Sequence, residues 1–240
     1  FEVIHRKEVD FALVPVENAL AGAVNGTYEL LMDYDLRIQA EVIHHVHHAL
    51  MALPGTRIED LDCVRSHPQA LAQCERFLQR NNIKPVNWYD TAGAAKDLAS
   101  EKVTNIGALA TTRAAKIYGL EVLAAGVEDV SFNYTRFFLL GHTDPERAEA
   151  NKTSLVFATR HQPGALYDCL GAFATRGINL TKLESRPRRN RPWEPVFHVD
   201  IEGHWQDDVV KSALTELLQK ASFVKMLGSY PAAKNKSVGV

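Results

Sequence analysis

Three polar clusters stand where apolar runs break. Glu17 and Asn18 close the run at 11–16, Ser66, His67 and Gln69 flank Pro68 in "SHPQ", and Asn133, Thr135 and Arg136 interrupt "SFNYTRFFLL" at 131–140. Together these residues supply many hydrogen-bond donors and one fixed cation, with no thiol nucleophile and no evident general base. Such a set suits holding a small polyanionic acid, because guanidinium groups and helix N-terminal amides both favour carboxylates. Each cluster also has a plainer reading as turn or capping chemistry. Arg136 poses the sharpest question, since a buried, unpaired guanidinium is very costly. Either its strand is half-exposed and the side chain solvated, or Thr135 and Arg136 face a cleft and handle negative charge. Neighbours in a regular strand point to opposite faces, so a bulge, a twist or a strand end is needed before both can touch one ligand.

Other clusters point to less. His44, His45, His47 and His48 invite a metal, but strand alternation puts two on each face with no carboxylate beside them, a poor zinc site. They read as hydrogen-bonded imidazoles of a partly buried strand. "GALAT" and "AGAAK" lack phosphate-loop spacing, no Ser-His-Asp order stands out, and neither a metal nor a cofactor is indicated. Cys63, Cys74 and Cys169 are an odd number without zinc spacing and read as reduced thiols of a cytosolic protein. The basic segment "RPRRNRPW" at 186–193 reads as a solvated hairpin loop. Over 240 residues the net charge is −2, with 46% hydrophobic and 23% charged residues. That balance gives no argument for nucleic acid or an anionic membrane, and no apolar run approaches the roughly 18–20 residues that span a bilayer.

The elements that must position these residues alternate. A short helical edge precedes a strand at 11–16, read as buried and parallel, and a helix starts near Gly26 and Thr27. "LRIQAEVIHHVHHALMAL" reads as one long strand or two. A strand then runs into a helix beginning at Pro68, where proline suits the first turn and Ser66 or His67 the cap. "KPVNWYD" is a strand, "TAGAAKDLASEK" a helix capped by Thr91, "TNIGALAT" a strand, "TRAAKIYG" a helix and "EVLAAGVED" a strand or loop. This rhythm predicts a parallel α/β sheet. After Gly141 the polar "HTDPERAEANK" reads as a linker. The remainder gives β-α-β-β-α-β, the ferredoxin-like order, and a disordered tail.

The stretches "VPVENALAGAVNGTYELL", "SHPQALAQC", "NYTRFFLLG", "PGALYDCLGAF" and "NLTKLESRPRRNRPWEPVFHVDIEGH" resemble the prephenate dehydratase family, in the family's order and across nearly the whole chain. The Thr-Arg-Phe triplet and the Glu-Ser-Arg-Pro stretch are each distinctive, and their co-occurrence more so. The resemblance implies an α/β fold: a two-lobed catalytic domain like a type II periplasmic binding protein, then a ferredoxin-like ACT regulatory domain. The corresponding division is 1–143 catalytic, 144–151 linker, 152–232 regulatory and 233–240 tail.

Carried over residue by residue, the family's active site would comprise Glu17, Asn18, Ser66, His67, Gln69, Asn133, Thr135, Arg136 and Phe137, in the cleft between the lobes, with Thr135 as the catalytic threonine. Arg136 would either reach substrate or lock its strand to the other lobe. A phenylalanine effector pocket would use Gly164, Ala165, Leu166, Asn179, Leu180, Glu184, Ser185, Arg186 and Pro187. The implied activity is a carbon–oxygen lyase converting prephenate to phenylpyruvate in phenylalanine biosynthesis. The implied partners are prephenate, L-phenylalanine and further copies of the chain, as a dimer or tetramer through the regulatory domain. The pathway implies the cytoplasm, or a plastid in a plant. An arogenate dehydratase and a non-catalytic amino-acid sensor of the same fold are the alternatives. The family's opening strand and Gly-Pro-x-Gly-Thr type loop have no counterpart here, so the chain is expected to lack part of one lobe: either its N-terminal segment is missing from this sequence or the fragment cannot turn over, and a fused chorismate mutase domain upstream stays open.

Overall fold

A computed structural model describes residues 1–188 and 191–233. The tip of the predicted basic loop, Arg189 and Asn190, and the predicted tail from Lys234 onward lie outside the described residues. In chain order the elements are α1 (Glu2–His5), β1 (Ala12–Asn18), β2 (Gly22–Ala23), α2 (Asn25–Asp33), β3 (Arg37–His45), β4 (Ala49–Ala52), β5 (Cys63–Ser66), α3 (Pro68–Gln73), α4 (Glu75–Arg80) and β6 (Lys84–Asn87). They continue with α5 (Thr91–Glu101), β7 (Ile106–Ala110), α6 (Thr112–Tyr118), β8 (Glu121–Ala125), β9 (Tyr134–Gly141), β10 (Asn151–Ala158), α7 (Ala165–Ala174), β11 (Leu180–Arg188), β12 (Arg191–Glu202), α8 (Asp208–Lys220) and β13 (Phe223–Pro231). The chain is α/β and divides into two compact units, residues 1–44 with 135–240, and residues 45–134.

The first unit holds two four-stranded sheets, ordered β2-β1-β9-β3 and β11-β12-β10-β13. The first strand is not the buried parallel strand expected, because β1 pairs antiparallel with both β2 and β9. Its burial alternates: Val16 is fully buried, whereas Phe11 and Leu13 are 57% and 55% exposed. An apolar run without side-chain alternation cannot reveal that only one face is covered. The second sheet shows the expected β-α-β-β-α-β order, with β10–β12, β10–β13 and β11–β12 all antiparallel. Leu155, Phe157, Val199 and Ile201 of this sheet pack with Cys169 and Phe173 of α7 and Leu214 and Leu217 of α8. Its other face shares a core with the first sheet, where Ile38, Phe138 and Leu140 meet Val156, Val196 and Tyr230. The expected linker at 144–151 therefore joins two strands of one unit, and Asn151 fastens it by bonds to the Ala148 N–H (3.0 Å) and C=O (2.6 Å). β13 runs so close to β3 that a Cβ on Gly228 would lie 2.8 Å from the Ile38 carbonyl oxygen.

The second unit is a five-stranded sheet ordered β6-β5-β7-β4-β8. It is parallel where strands alternate with helices, at β5–β6 and β5–β7, and antiparallel where β4 meets β7 and β8. The all-parallel expectation is thus corrected to a mixed sheet: β4 belongs to no strand–helix–strand unit of this sheet and inserts antiparallel between β7 and β8. The long histidine-bearing segment is two strands, β3 and β4. Asp90, not Thr91, caps α5: its carboxylate accepts from the Gly93 N–H at 2.6 Å, the geometry an extended residue reaches one position earlier. The three cysteines are unpaired. Among the described residues no helix is long and apolar enough to cross a membrane.

Candidate active site

Thr135 is placed by a register shift. Between Pro15 and Glu17 the β1–β9 pairing slips, so that Glu17 faces Arg136 and Asn18 faces Thr135. The irregularity lies in β1; it does not bring Thr135 and Arg136 to one face, as joint contact with a ligand would require. Asn18 Nδ2 donates to Thr135 Oγ1 at 3.0 Å, while Asn18 Oδ1 accepts the N–H groups of Leu20 (3.1 Å) and Ala21 (2.9 Å). Those two bonds fix the orientation of the amide, because only Nδ2 can then meet the hydroxyl. Thr135 is thereby an acceptor toward Asn18 and keeps its own proton for a further acceptor. Phe137 faces Pro15 across the same pair of strands and is half-buried.

Arg136, one residue on, points the other way. Its Nε donates to Glu41 at 2.8 Å, one terminal nitrogen donates to Asp200 at 2.6 Å and the other to the Tyr230 hydroxyl at 3.0 Å. The Ser154 hydroxyl donates to Asp200 at 2.5 Å, so Tyr230 donates its proton to Ser154 at 2.7 Å. Lys152 and the Ala233 N–H complete the shell of Glu41, at 2.9 and 2.8 Å. The side chains of Glu41, Asp200 and Arg136 are 0%, 6% and 13% exposed. Burial alone would lower the Arg136 pKa, but Asp200, Tyr230 and Glu41 outweigh it and hold it well above the usual arginine value. Burial would likewise raise Glu41, yet Arg136, Lys152 and the Ala233 amide keep its carboxyl below the usual range. The guanidinium is neither solvated nor presented as an open anion site. It locks its strand to β3 and to the C-terminal sheet, within its own unit rather than to a second lobe.

Glu17 faces Arg136 at 4.0 Å, and its nearer partner is Lys182 Nζ at 3.0 Å. Lys182 also reaches Glu184 at 2.9 Å, and Arg186 bonds Glu184 and Asn25 at 2.6 Å each. Burial would lower the Lys182 pKa, but Tyr28, Glu184 and Glu17 raise it above the ordinary lysine value. Of the predicted effector residues, Glu184 and Arg186 therefore sit on the face of β11 turned toward α2, while Ser185 and Pro187 are exposed on the other. Gly164, with φ of 80°, caps α7, which begins at Ala165 and Leu166, while Asn179 and Leu180 lead into β11. No hydrogen bond or ion pair among the described residues joins 164–166 to 184–187.

In the second unit Ser66 is fully buried and donates to the Leu109 carbonyl at 2.7 Å, tying β5 to β7. His67 caps α3 through Nδ1, which accepts the Gln69 N–H at 3.2 Å; both residues are exposed. Asn133 is 1% exposed and donates to Gln73 Oε1 at 2.9 Å. The same oxygen meets His48 Nε2 at 2.9 Å. His47 bonds Glu128 at 2.8 Å, so a carboxylate does accompany this cluster, and His45 bonds the Ser131 carbonyl at 2.6 Å. No group of three or more metal-ligating side chains occurs among the described residues.

Sequence reasoning missed Gln73, Lys182, Glu41, Asp200 and Tyr230. For Glu41 and Asp200 a signal existed. Each is a carboxylate set between apolar neighbours within a strand, Ala40 and Val42 for Glu41 and Val199 and Ile201 for Asp200, and buried charges demand partners.

The family model described as prephenate dehydratase matches residues 1–145. The chain is 43% identical to an Arabidopsis thaliana arogenate dehydratase/prephenate dehydratase 2 (chloroplastic), over 96% of this chain and 64% of that protein. It superposes on a prephenate dehydratase from Arthrobacter aurescens in complex with L-Phe, with a TM-score of 0.88 and 32% identity, covering 100% of this chain and 80% of that one. A structure described as GqqA, a novel type of quorum quenching acylase, gives a TM-score of 0.89 at 34% identity, covering 98% and 87%. The chain belongs to the prephenate dehydratase family. It spans about two thirds, 64%, of the length of the Arabidopsis relative.

Proposed function

We propose that this protein is a dehydratase that converts prephenate, or its amino counterpart arogenate, to the aromatic product with loss of water and carbon dioxide. The observation that carries the reading is the Asn18–Thr135 bond of 3.0 Å with the amide locked from behind. A hydroxyl that accepts a hydrogen bond becomes a better donor. Thr135 would give its proton to the departing 4-hydroxyl as the carbon–carboxylate bond breaks, its electron pair aromatises the ring, and solvent returns the proton. Aromatisation makes the reaction strongly downhill, so aligning the leaving group supplies much of the rate gain. Ser66, His67, Gln69, Asn133 and Phe137 carry over from the family resemblance as substrate-site residues. Arg136 acts on the framework. Nothing in the set calls for a cofactor.

In this reading residues 1–44 with 135–143, and residues 45–134, are the lobes of a type II periplasmic-binding-protein-like domain, and 152–232 is an ACT domain through which L-phenylalanine regulates the enzyme. The relative captured with L-Phe supports it. So does the outer position of β11 in its sheet, with Leu183 46% exposed, where a second copy can dock. The test is turnover of prephenate and of arogenate by this chain and by a version extended N-terminally, with and without L-phenylalanine. Activity lost in Thr135→Ala and altered by L-phenylalanine is expected. Its absence from both versions, with L-phenylalanine still bound, would leave a sensor and defeat the lyase. The likeness to the quorum quenching acylase supports a second reading, hydrolysis of an N-acyl substrate, and release of a free acid from such a substrate by this chain would favour it.

A further inference from the structure

Beside the Asn18–Thr135 pair, β1 carries one residue more than β9. Pro15 pairs with Phe137 and Glu17 with Arg136, and the buried Val16 is skipped. Such a bulge interrupts the ladder, so other bonds must hold its shape. The Thr27 hydroxyl donates to the Pro15 carbonyl at 2.8 Å, and the Val24 N–H donates to the Val16 carbonyl at 2.9 Å. The third bond comes from far along the chain: Lys182 Nζ of β11 donates to Glu17 Oε2 at 3.0 Å.

Residues paired across neighbouring strands point to one face. Glu17 therefore shares the face of Arg136, while Asn18 shares the opposite face with Thr135. Glu17 is thus turned away from the Thr135 hydroxyl and toward Lys182. The Lys182 side chain is only 10% exposed. Its ammonium also reaches Glu184 at 2.9 Å and lies 5.2 Å from the centre of the Tyr28 ring, so it is held on several sides. Resting on the dehydratase reading above, we propose that Lys182 is a positioning residue for the reaction: by holding Glu17 it fixes the end of β1 and keeps the next residue, Asn18, aimed at Thr135. Without it the amide leaves the hydroxyl in more of the molecules, and the loss falls on kcat rather than on KM. Lys182→Met strands no buried charge, because Glu184 keeps Arg186 at 2.6 Å and the Glu17 side chain is 38% exposed.

The experiment compares Lys182→Met, Glu17→Gln, the double variant and Lys182→Arg in turnover of prephenate and arogenate, with the chain extended N-terminally where activity needs it. Lys182→Met should lower kcat about tenfold to a hundredfold with KM within about twofold. Glu17→Gln should do the same, and the double variant should lose no more than either alone. Lys182→Arg should regain most of the rate. Hydrogen exchange at Leu20 and Ala21, whose N–H groups donate to Asn18 Oδ1, should quicken about tenfold in Lys182→Met and Glu17→Gln but not in Lys182→Arg. Exchange needs no turnover. An inactive parent with quickened exchange in the variants would defeat the dehydratase and leave Lys182 as the anchor of Asn18. Unchanged exchange, or an active parent whose kcat ignores Lys182→Met, would overturn the proposal alone. Losses that add in the double variant would also overturn it, Glu17 then acting without Lys182. Should Lys182→Met fail to fold, kcat and exchange in Glu17→Gln decide.

Discussion

Replacing Arg136 by Met removes the cation from a nearly dry cluster. Glu41 retains Lys152 at 2.9 Å, but Asp200 has no other ion pair among the described residues. One buried carboxylate is left uncompensated, which costs about 3–5 kcal/mol. For a chain of this size that corresponds to a fall in Tm of roughly 6–20 °C, at about 2–4 °C per kcal/mol. Chemical and thermal unfolding of Arg136→Met against the parent measure it. Arg136→Met with Asp200→Asn should recover much of the loss, because the stranded charge is gone. Acid titration adds a second readout. Glu41 is held below its unfolded pKa, so its share of the stability is present above that unfolded value and disappears as pH falls through the folded one. In Arg136→Met this acid-labile share should shrink. A loss below about 1 kcal/mol, with no recovery in the double variant, would refute the view that Arg136 is a structural lock.

Thr135→Val should lower turnover by about a hundredfold or more with little change in Tm, while Thr135→Ser keeps substantial activity, since the proton donor is what counts. Desolvation and Arg186 depress His198 to about 4 from 6.5, so the unfolded state binds the extra proton first. About 3 kcal/mol of stability should disappear as pH falls from 6.5 toward 4, and His198→Gln should flatten that slope in urea melts. Gly228→Ala should destabilise by about 1–3 kcal/mol, because the added carbon meets the Ile38 backbone at 2.8 Å; an unchanged urea midpoint would contradict that packing.

The sequence by itself determined the elements and the family. Helix starts were legible where local chemistry sets them, as at Pro68, whose cap the sequence narrowed to Ser66 or His67 and the structure assigns to His67, and the C-terminal β-α-β-β-α-β order followed from periodicity. The polar clusters were legible as candidates because their residue types break apolar runs. Pairing was not legible. An apolar run such as 11–16 fits a parallel or an antiparallel partner equally well, and only the contact between β1 and β9 made it antiparallel and half-exposed. The slip between Pro15 and Glu17 is likewise a property of two strands together, and it turns Asn18 toward Thr135. Most of all, the tertiary structure decided what Arg136 is for. Glu41, Asp200 and Tyr230 lie far from it in sequence, and no spacing rule brings them near. A charge inside an apolar strand announces that a partner must exist, since burial without one is too costly. Which partner it finds depends on how the sheets stack.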